Sequence, residues 1–364
     1  MEQGKRILCV ILACVCCLMH FEAFSEAKAY ILMDFDSGRV LYEKNADEKL
    51  AIASTTKIMT CLLALENSSL SDKVMASKNA SGVPGPSIYL SAGETLTMED
   101  MLYVLMLRSG NDAAVAIAEH VAGSVEEFSK MMNDRAEEIS ADAYFTTPNG
   151  LDKGGNGASA RGITEITRAA MKNPDFRRIV ITKRKTIPWK DHEYERVLVN
   201  KNKLLTDYEG AIGVKTGYTK KAGRCLVFSA EREGLTLVGC VLNCPDWFGE
   251  AEKLLDQGFL EYSAKVFFEK GDIVETISVG GKSVRVIAGD SGKAAVRNGE
   301  NVEVKIEIGE VALPVSEGQI VGRARVLADS GVILTVDLLS MDTQEKPSFG
   351  SALSKVVSLW TAGL

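Results

Sequence analysis

Apolar and polar positions follow different rhythms along this chain, and each rhythm predicts a different element. Ile7 to Met19 is a nearly unbroken apolar run behind the basic pair Lys5 and Arg6, with the small residues Ala23 and Ser25 after it. About 13 apolar residues are too few to span a bilayer as a helix. The run therefore reads as the core of a signal peptide cut after Ser25, or after Ala27, rather than as an uncleaved anchor. Cys14 behind Leu12 and Ala13 hints at a lipoprotein site, but the apolar stretch before it is short and continues past it, which disfavours that reading. Tyr30–Asp34 and Val40–Tyr42, around Asp36, Ser37 and Gly38, predict a hairpin.

From Ser54 the period becomes helical, with Ile58, Met59, Cys61, Leu62, Leu63 and Leu65 on a stretch ending near Asn67. Residues 74–93 are polar and hold Gly82, Pro84, Gly85 and Pro86, which predicts a loop. Thr97, Glu99 and Asp100 give a capping-box start to an apolar helix at 101–107, and a second helix is expected from Ala113 to Val121. Residues 143–161 are glycine-rich, with a turn at Thr147, Pro148, Asn149 and Gly150, and a short helix is expected around 163–171. From Lys215 the texture is β: Cys225–Ala230 and Leu235–Leu242 predict paired strands, and 249–263 a closing helix. Past a boundary near 265–272, short alternating runs through Val279, Val286, Ile306, Val321 and Val336 predict a small all-β domain.

The last segment differs again. Phe349, Leu353, Val356, Val357, Trp360 and Leu364 fall on one face at helical spacing, with Ser351, Ser354, Lys355 and Ser358 elsewhere. This predicts an amphipathic helix lying in a membrane interface, the alternative being a terminal helix docked on its own protein. The order of elements is α+β, and it divides the chain into a signal peptide (1–25), a mixed helix-and-strand domain (26–268), a β domain (269–343) and an amphipathic tail (344–364). A length of 364 residues suits two globular domains.

Composition changes this picture little. The chain is 46% hydrophobic and 25% charged, so a sizeable core is expected, and a net charge of −7 gives no reason to propose nucleic acid as a partner. Export reduces the cysteines to Cys61, Cys225, Cys240 and Cys244, too few for a disulfide scaffold. A hairpin turning at Glu231–Gly234 would place Cys225 opposite Cys240, as a cross-strand disulfide or as two buried thiols; the thiols are favoured, because free cysteine is commonly buried.

Three short strings carry the candidate chemistry: Ser54-Thr55-Thr56-Lys57, Ser109-Gly110-Asn111 and Lys215-Thr216-Gly217. Serine is a poor nucleophile at neutral pH and needs a base within hydrogen-bond reach. On a helix Ser54 and Lys57 share a face, and a lysine becomes a base when burial or neighbouring positive charge lowers its pKa. Lys215 could supply that charge. Ser54 at a helix start also has free backbone N–H groups nearby for an oxyanion. A serine and lysine at this spacing arise by chance about once in a chain this long, so the pair alone proves nothing. Ser109-Gly110-Asn111 separates two helices and can point a hydroxyl and an amide into a cleft. Ser77-Lys78-Asn79 fits the same pattern but lies in a polar run. On a strand, Lys215 offers a cation for a carboxylate beside the Thr216 hydroxyl, and Gly217 permits close approach of a ligand backbone.

The order and spacing of the three strings form the signature of penicillin-recognising serine enzymes. The contexts Ala53–Thr60, Leu107–Ala113, Thr147–Leu151 and Gly213–Thr219 resemble those of the low-molecular-mass D-alanyl-D-alanine carboxypeptidases, and so does the layout from signal peptide to tail. The resemblance covers about residues 28–364 and implies a β-lactamase/transpeptidase-like catalytic domain, an antiparallel sheet with a helical subdomain, followed by a small all-β domain. It implies that Ser54 attacks the carbonyl between two terminal D-alanines and that Lys57 takes its proton. Ser109 would relay a proton to the leaving amine, with Asn111 steadying Lys57 or the substrate amide. Lys215 and Thr216, beside Gly217, would hold the terminal carboxylate, and the N–H groups of Ser54 and Tyr218 would bind the oxyanion. Peptidoglycan stem peptides would be the substrate and β-lactams the inhibitors, at the outer face of the cytoplasmic membrane, with no cofactor or metal. The best-known members carry His where this chain has Tyr218, which leaves the class intact and the efficiency open.

Rival readings are weaker. A β-lactamase of the same fold needs a positioned glutamate, and no convincing E-x-x-L-N string lies between the second and third motifs. A non-catalytic wall-binding protein would not need all three strings intact. A zinc enzyme lacks H-E-x-x-H, and neither His120 nor His192 lies in a recognisable catalytic string.

Overall fold

The structure, a computed structural model, describes residues 27–151 and 154–346, and residues 350, 353, 357, 358, 360 and 361 near the C-terminus. The signal segment and its four cysteines lie outside the described residues. The catalytic half is built on a five-stranded antiparallel sheet. Its strands run in the order Val40–Lys44, Ala29–Asp34, Leu235–Leu242, Gly223–Arg232, Ala211–Thr219. Every residue of Leu235–Leu242 is buried, because both faces of the sheet are covered. Ile31, Met33, Val227, Val238 and Cys240 join the core that holds the helices Lys57–Asn67 and Ala160–Met171. Leu32, Phe228, Leu237 and Val241 point the other way, onto Leu254 and Leu255 of the helix Trp247–Glu261. Strand side chains alternate between faces, so two helical layers require apolar residues at every position of a central strand.

The predicted hairpin at the N-terminus and the helix ending at Asn67 are present. Several segments differ from their patterns. Residues 74–93, predicted as loop, start in a short strand, Lys73–Met75, that pairs with Thr95–Thr97, and they hold a helical turn, Lys78–Ser81. The helix Val125–Glu138 and the hairpin Arg184–Ile187 with Arg196–Val199 were not marked by the apolar rhythm, since both are largely surface elements. Cys225 does not face Cys240. The register pairs Val227 with Cys240 and Arg232 with Leu235, because the turn is the two residues Glu233 and Gly234, at φ 49° and 78°. Such a two-residue turn needs positive φ at both centres and is tighter than the four-residue one assumed from sequence. Both cysteines are buried free thiols.

The C-terminal module begins as the helix Trp247–Glu261 ends. The strand Tyr262–Phe268 pairs with Gly292–Arg297, and a second five-stranded antiparallel sheet runs Ile273–Val279, Lys282–Ala288, Gly331–Ser340, Ile320–Ala328, Glu303–Ile308. Its own core gathers Val284, Val286, Ala324, Val326 and Leu338. Polar groups clamp it to the first sheet. Arg39 donates to both oxygens of Glu300 at 2.7 and 2.6 Å, with both side chains 7% exposed, and Asp34 Oδ2 accepts from the Ala295 N–H at 3.0 Å. Removing one partner of a buried ion pair strands the other charge. Arg39→Met should therefore destabilise the protein by about 3 kcal/mol in a urea melt, and an unchanged midpoint would show that the clamp carries no load.

Candidate active site

Ser54 lies in a 3-10 turn, Ala53–Thr56, that runs directly into the helix Lys57–Asn67. One turn along, Lys57 returns over the serine, and its Nζ lies at hydrogen-bond distance, 3.0 Å, from Ser54 Oγ. The same nitrogen donates to Asn111 Oδ1 at 2.8 Å and to the Asn149 carbonyl at 2.7 Å. Asn111 Oδ1 and the Asn149 carbonyl can only accept. A neutral amine gives both its hydrogens to them and keeps its lone pair for the serine O–H. Lys57 is fully buried, and its pKa is pushed well below the usual lysine value by that burial, then by the charges of Lys215 and Lys201, against the opposing pull of Asp112.

The second string sits where a π-helical turn, Val104–Arg108, ends in a left-handed residue. Ser109 has φ 62°, a conformation that costs a non-glycine residue energy and recurs at active sites. Its Oγ is buried and has no hydrogen-bond partner among the described residues. Gly110 then admits the helix Asn111–Ala122. The polar segment 84–90 is folded back onto this point. The Pro84 carbonyl accepts from Asn111 Nδ2 at 2.6 Å and the Pro86 carbonyl from the Asn111 N–H at 2.7 Å, while buried Asp112 takes the N–H groups of Ile88 and Leu90, each at 3.1 Å. By contrast, the Ser77 copy of the motif is a helix cap, its Oγ accepting from the Ala80 N–H.

Lys215, Thr216 and Gly217 lie on the outermost strand of the sheet, paired with Val227, Leu226 and Cys225. Lys215 is buried, donates to the Thr216 carbonyl at 2.8 Å, and has its pKa pushed down to about 7 by burial and by Lys201. Thr216 is buried beside it, and the Tyr218 side chain is exposed. Gly217, expected to admit a ligand, also admits the serine turn. A Cβ there would stand 3.0 Å from the Ser54 nitrogen and 3.1 Å from that of Thr55.

The three strings thus meet: Lys57 joins Ser54 to Asn111, and Gly217 of the third string packs against the Ser54 turn. Sequence reading missed what closes the site. The Asn149 carbonyl is a backbone group, which any residue type would carry. Asn156 Oδ1, which accepts from the Thr147 N–H at 3.2 Å, has no partner visible in the local sequence, and Lys201 reaches the site only because its N–H meets the Leu107 carbonyl at 3.3 Å. The Thr147–Leu151 string was the one available signal for this side of the site.

Comparison with known proteins decides the family. A family model described as D-alanyl-D-alanine carboxypeptidase matches residues 20–246, and a model of the penicillin-binding protein 5 C-terminal domain matches 262–346. The chain belongs to the D-alanyl-D-alanine carboxypeptidase family. It is 32% identical over 361 residues to the D-alanyl-D-alanine carboxypeptidase DacF of Bacillus subtilis, covering 93% of this chain and 91% of that one. DacC of Escherichia coli is 32% identical over 89% of this chain and 86% of its own. Among solved structures, penicillin-binding protein 5 of Haemophilus influenzae superposes with a TM-score of 0.77 at 27% identity, covering 88% of this chain and 98% of that one. The family's fold is the one seen here, a mixed sheet-and-helix catalytic unit with an all-β module after it.

Within this carboxypeptidase fold the serine turn tolerates no bulk from its neighbours. Gly150 has φ 80°, and a Cβ on it would lie 1.9 Å from the Ala53 carbonyl oxygen. Gly150→Ala should cost about 3 kcal/mol or more in chemical denaturation; a loss below about 0.5 kcal/mol would show that the two loops are not in forced contact.

Proposed function

We propose that this protein is a serine carboxypeptidase that removes the terminal D-alanine from peptidoglycan stem peptides through an acyl-enzyme on Ser54. The observation that carries the reading is the Lys57 amine, buried and shared between Ser54 Oγ, Asn111 Oδ1 and the Asn149 carbonyl. In the free enzyme neutral Lys57 accepts the Ser54 proton as Oγ attacks the penultimate D-alanine carbonyl. The Ser54 N–H and that of Tyr218 receive the oxyanion, a role supported by the close approach of Gly217 to the Ser54 turn. Collapse breaks the C–N bond. Ser109, whose buried hydroxyl has no other partner among the described residues, passes the proton held on Lys57 to the leaving amine, and D-alanine departs. Water then attacks the ester and Ser54 recovers its proton. Lys215 and Thr216 hold the carboxylate of the departing residue, while Asn111 steadies Lys57. A β-lactam presents the same carbonyl and carboxylate and acylates Ser54.

The two sheets, each with its own core, support a catalytic domain followed by a β domain, and the pairing of Tyr262–Phe268 with Gly292–Arg297 favours a boundary near 262 rather than at 268. Export places the site on the outer side of the cytoplasmic membrane. The tail residues Leu353, Val357 and Trp360 are exposed and helical, which supports an amphipathic helix resting on the membrane surface. No helix among the described residues is long and apolar enough to cross a membrane.

Ser54→Ala should lower D-alanine release from a D-Ala-D-Ala peptide by roughly a thousandfold or more; equal release would remove Ser54 from the mechanism. The alkaline limb of kcat/KM tests Lys215. That ratio reports the free enzyme, in which Lys215 loses its charge as pH rises through about 7. Capture of the carboxylate should weaken above that pH, and a flat profile from about pH 7 to 9 would exclude Lys215 as its holder.

A further inference from the structure

The hairpin Arg184–Ile187 with Arg196–Val199 carries three aromatic rings to which the mechanism assigns nothing. Ile187 and Leu198 face inward and join the helical core. At the tip Trp189 packs against His192, with ring centroids 4.2 Å apart, and against Tyr194 at 5.4 Å. Tyr194 is 61% exposed, and neither it nor Trp189 takes part in an apolar core among the described residues. Clustered rings left in water mark a contact surface more often than a structural one. The tip is also fixed relative to the site. Arg196, directly below it, pairs with both oxygens of Glu94; the two side chains are 5% and 2% exposed, and the Trp189 ring lies over the guanidinium at 4.8 Å. Glu94 closes the segment whose Pro84 and Pro86 carbonyls hold Asn111. Beyond the other end of the same strand the Lys201 N–H meets the Leu107 carbonyl, just before Ser109. Both ends of the hairpin are therefore fastened to segments that carry catalytic groups.

We infer that the hairpin tip is a platform for the glycan strand of the polymerised wall, whose sugar rings lay their apolar C–H faces on Trp189 and Tyr194. The inference rests on the carboxypeptidase reading above and adds the form in which the substrate arrives. Each ring pairs an apolar face with a polar edge, the Trp189 N–H, the His192 nitrogens and the Tyr194 O–H, which suits a polymer of apolar faces rimmed by hydroxyls. The scale fits as well. The strand between the two anchors, Arg196–Val199, is on the order of 13 Å long, and an extended stem of about four residues between the reacting carbonyl and its sugar spans a similar distance. Lys190, Asp191, Glu193 and Glu195 are all exposed and leave the tip net acidic. That charge is compatible with uncharged sugars and opposes docking on an anionic lipid surface, where a lipid-linked precursor would lie.

Three substrates ending in D-Ala-D-Ala test it on the mature full-length protein: the free stem peptide, the same peptide on a single disaccharide, and the same peptide on uncross-linked glycan strands. The strand-borne peptide should have a kcat/KM roughly tenfold above that of the free peptide, the scale of one or two stacked rings. Trp189→Ala should bring that ratio towards one, Trp189→Phe should keep most of it, and Tyr194→Ala should lower it roughly threefold. Each ratio is taken within one preparation, so loss of folded protein in a variant cancels. Glycan strands stripped of peptide should compete with the strand-borne substrate in the wild type and not in Trp189→Ala. Equal kcat/KM for free and strand-borne peptide, or an unchanged ratio in Trp189→Ala, would overturn the inference and leave the carboxypeptidase reading standing. A preference already complete with one disaccharide would overturn it in favour of the precursor. Binding to phosphatidylglycerol vesicles that Trp189→Ala abolishes would overturn it in favour of a lipid surface. No D-alanine from any of the three substrates would overturn the carboxypeptidase reading, and the inference with it.

Discussion

Two lysines buried a short distance apart are the constraint on which this site is organised. An ammonium group out of water is costly, and two of them repel, so each lowers its pKa rather than remain fully charged. Lys57 is fully buried, Lys215 nearly so, and exposed Lys201 adds a third positive charge to both. Against them stands Asp112, whose carboxylate is already occupied by the N–H groups of Ile88 and Leu90. Burial first, and then the shortage of negative charge, turns Lys57 into a base and leaves Lys215 poised near neutrality. A substrate carboxylate arriving at Lys215 supplies the missing counter-charge, so recognition and protonation are linked through the same pair of amines.

Such a balance holds only if the acceptors around Lys57 are fixed. The fold secures each of them from a separate direction. Asn111 is tied by both its backbone and its side chain to the 84–86 carbonyls. The Asn149 carbonyl is held by Gly150, which packs where a side chain could not against Ala53, and by Asn156 Oδ1, which accepts from the Thr146 and Thr147 N–H groups. On the remaining side the outermost strand brings Gly217 against the Ser54 nitrogen. Left-handed Ala53 and Ser109 mark the places where backbone strain is tolerated because surrounding contacts determine it.

The rigidity extends beyond the catalytic half. The central strands are apolar on both faces and carry a helical layer on each, and the edge strand bearing Lys215 is paired directly to that framework. The β module is attached to the opposite edge region of that framework, through Asp34 and the Arg39–Glu300 pair, by groups that are buried rather than exposed. A buried, hydrogen-bonded junction gives the module a defined orientation relative to the catalytic sheet, which a flexible linker would not.

Much of this was legible along the chain. The helical period after Ser54, the break at Ser109 and Gly110, and the β texture from Lys215 placed the nucleophile, both amines and the amide on the correct kinds of element, because those signals are local. The helix Val125–Glu138 and the hairpin ending at Val199 escaped, since surface elements with few buried positions leave a faint apolar rhythm. The hairpin register failed for a related reason: two successive residues at positive φ are a backbone property, and Glu233 does not announce one. By itself the sequence determined which side chains could do acyl transfer and in what order they occur. Only the tertiary structure decided that Lys57 is shared among three oxygens, one of them a backbone carbonyl, because backbone groups and the burial of charge exist only once distant segments have closed around them.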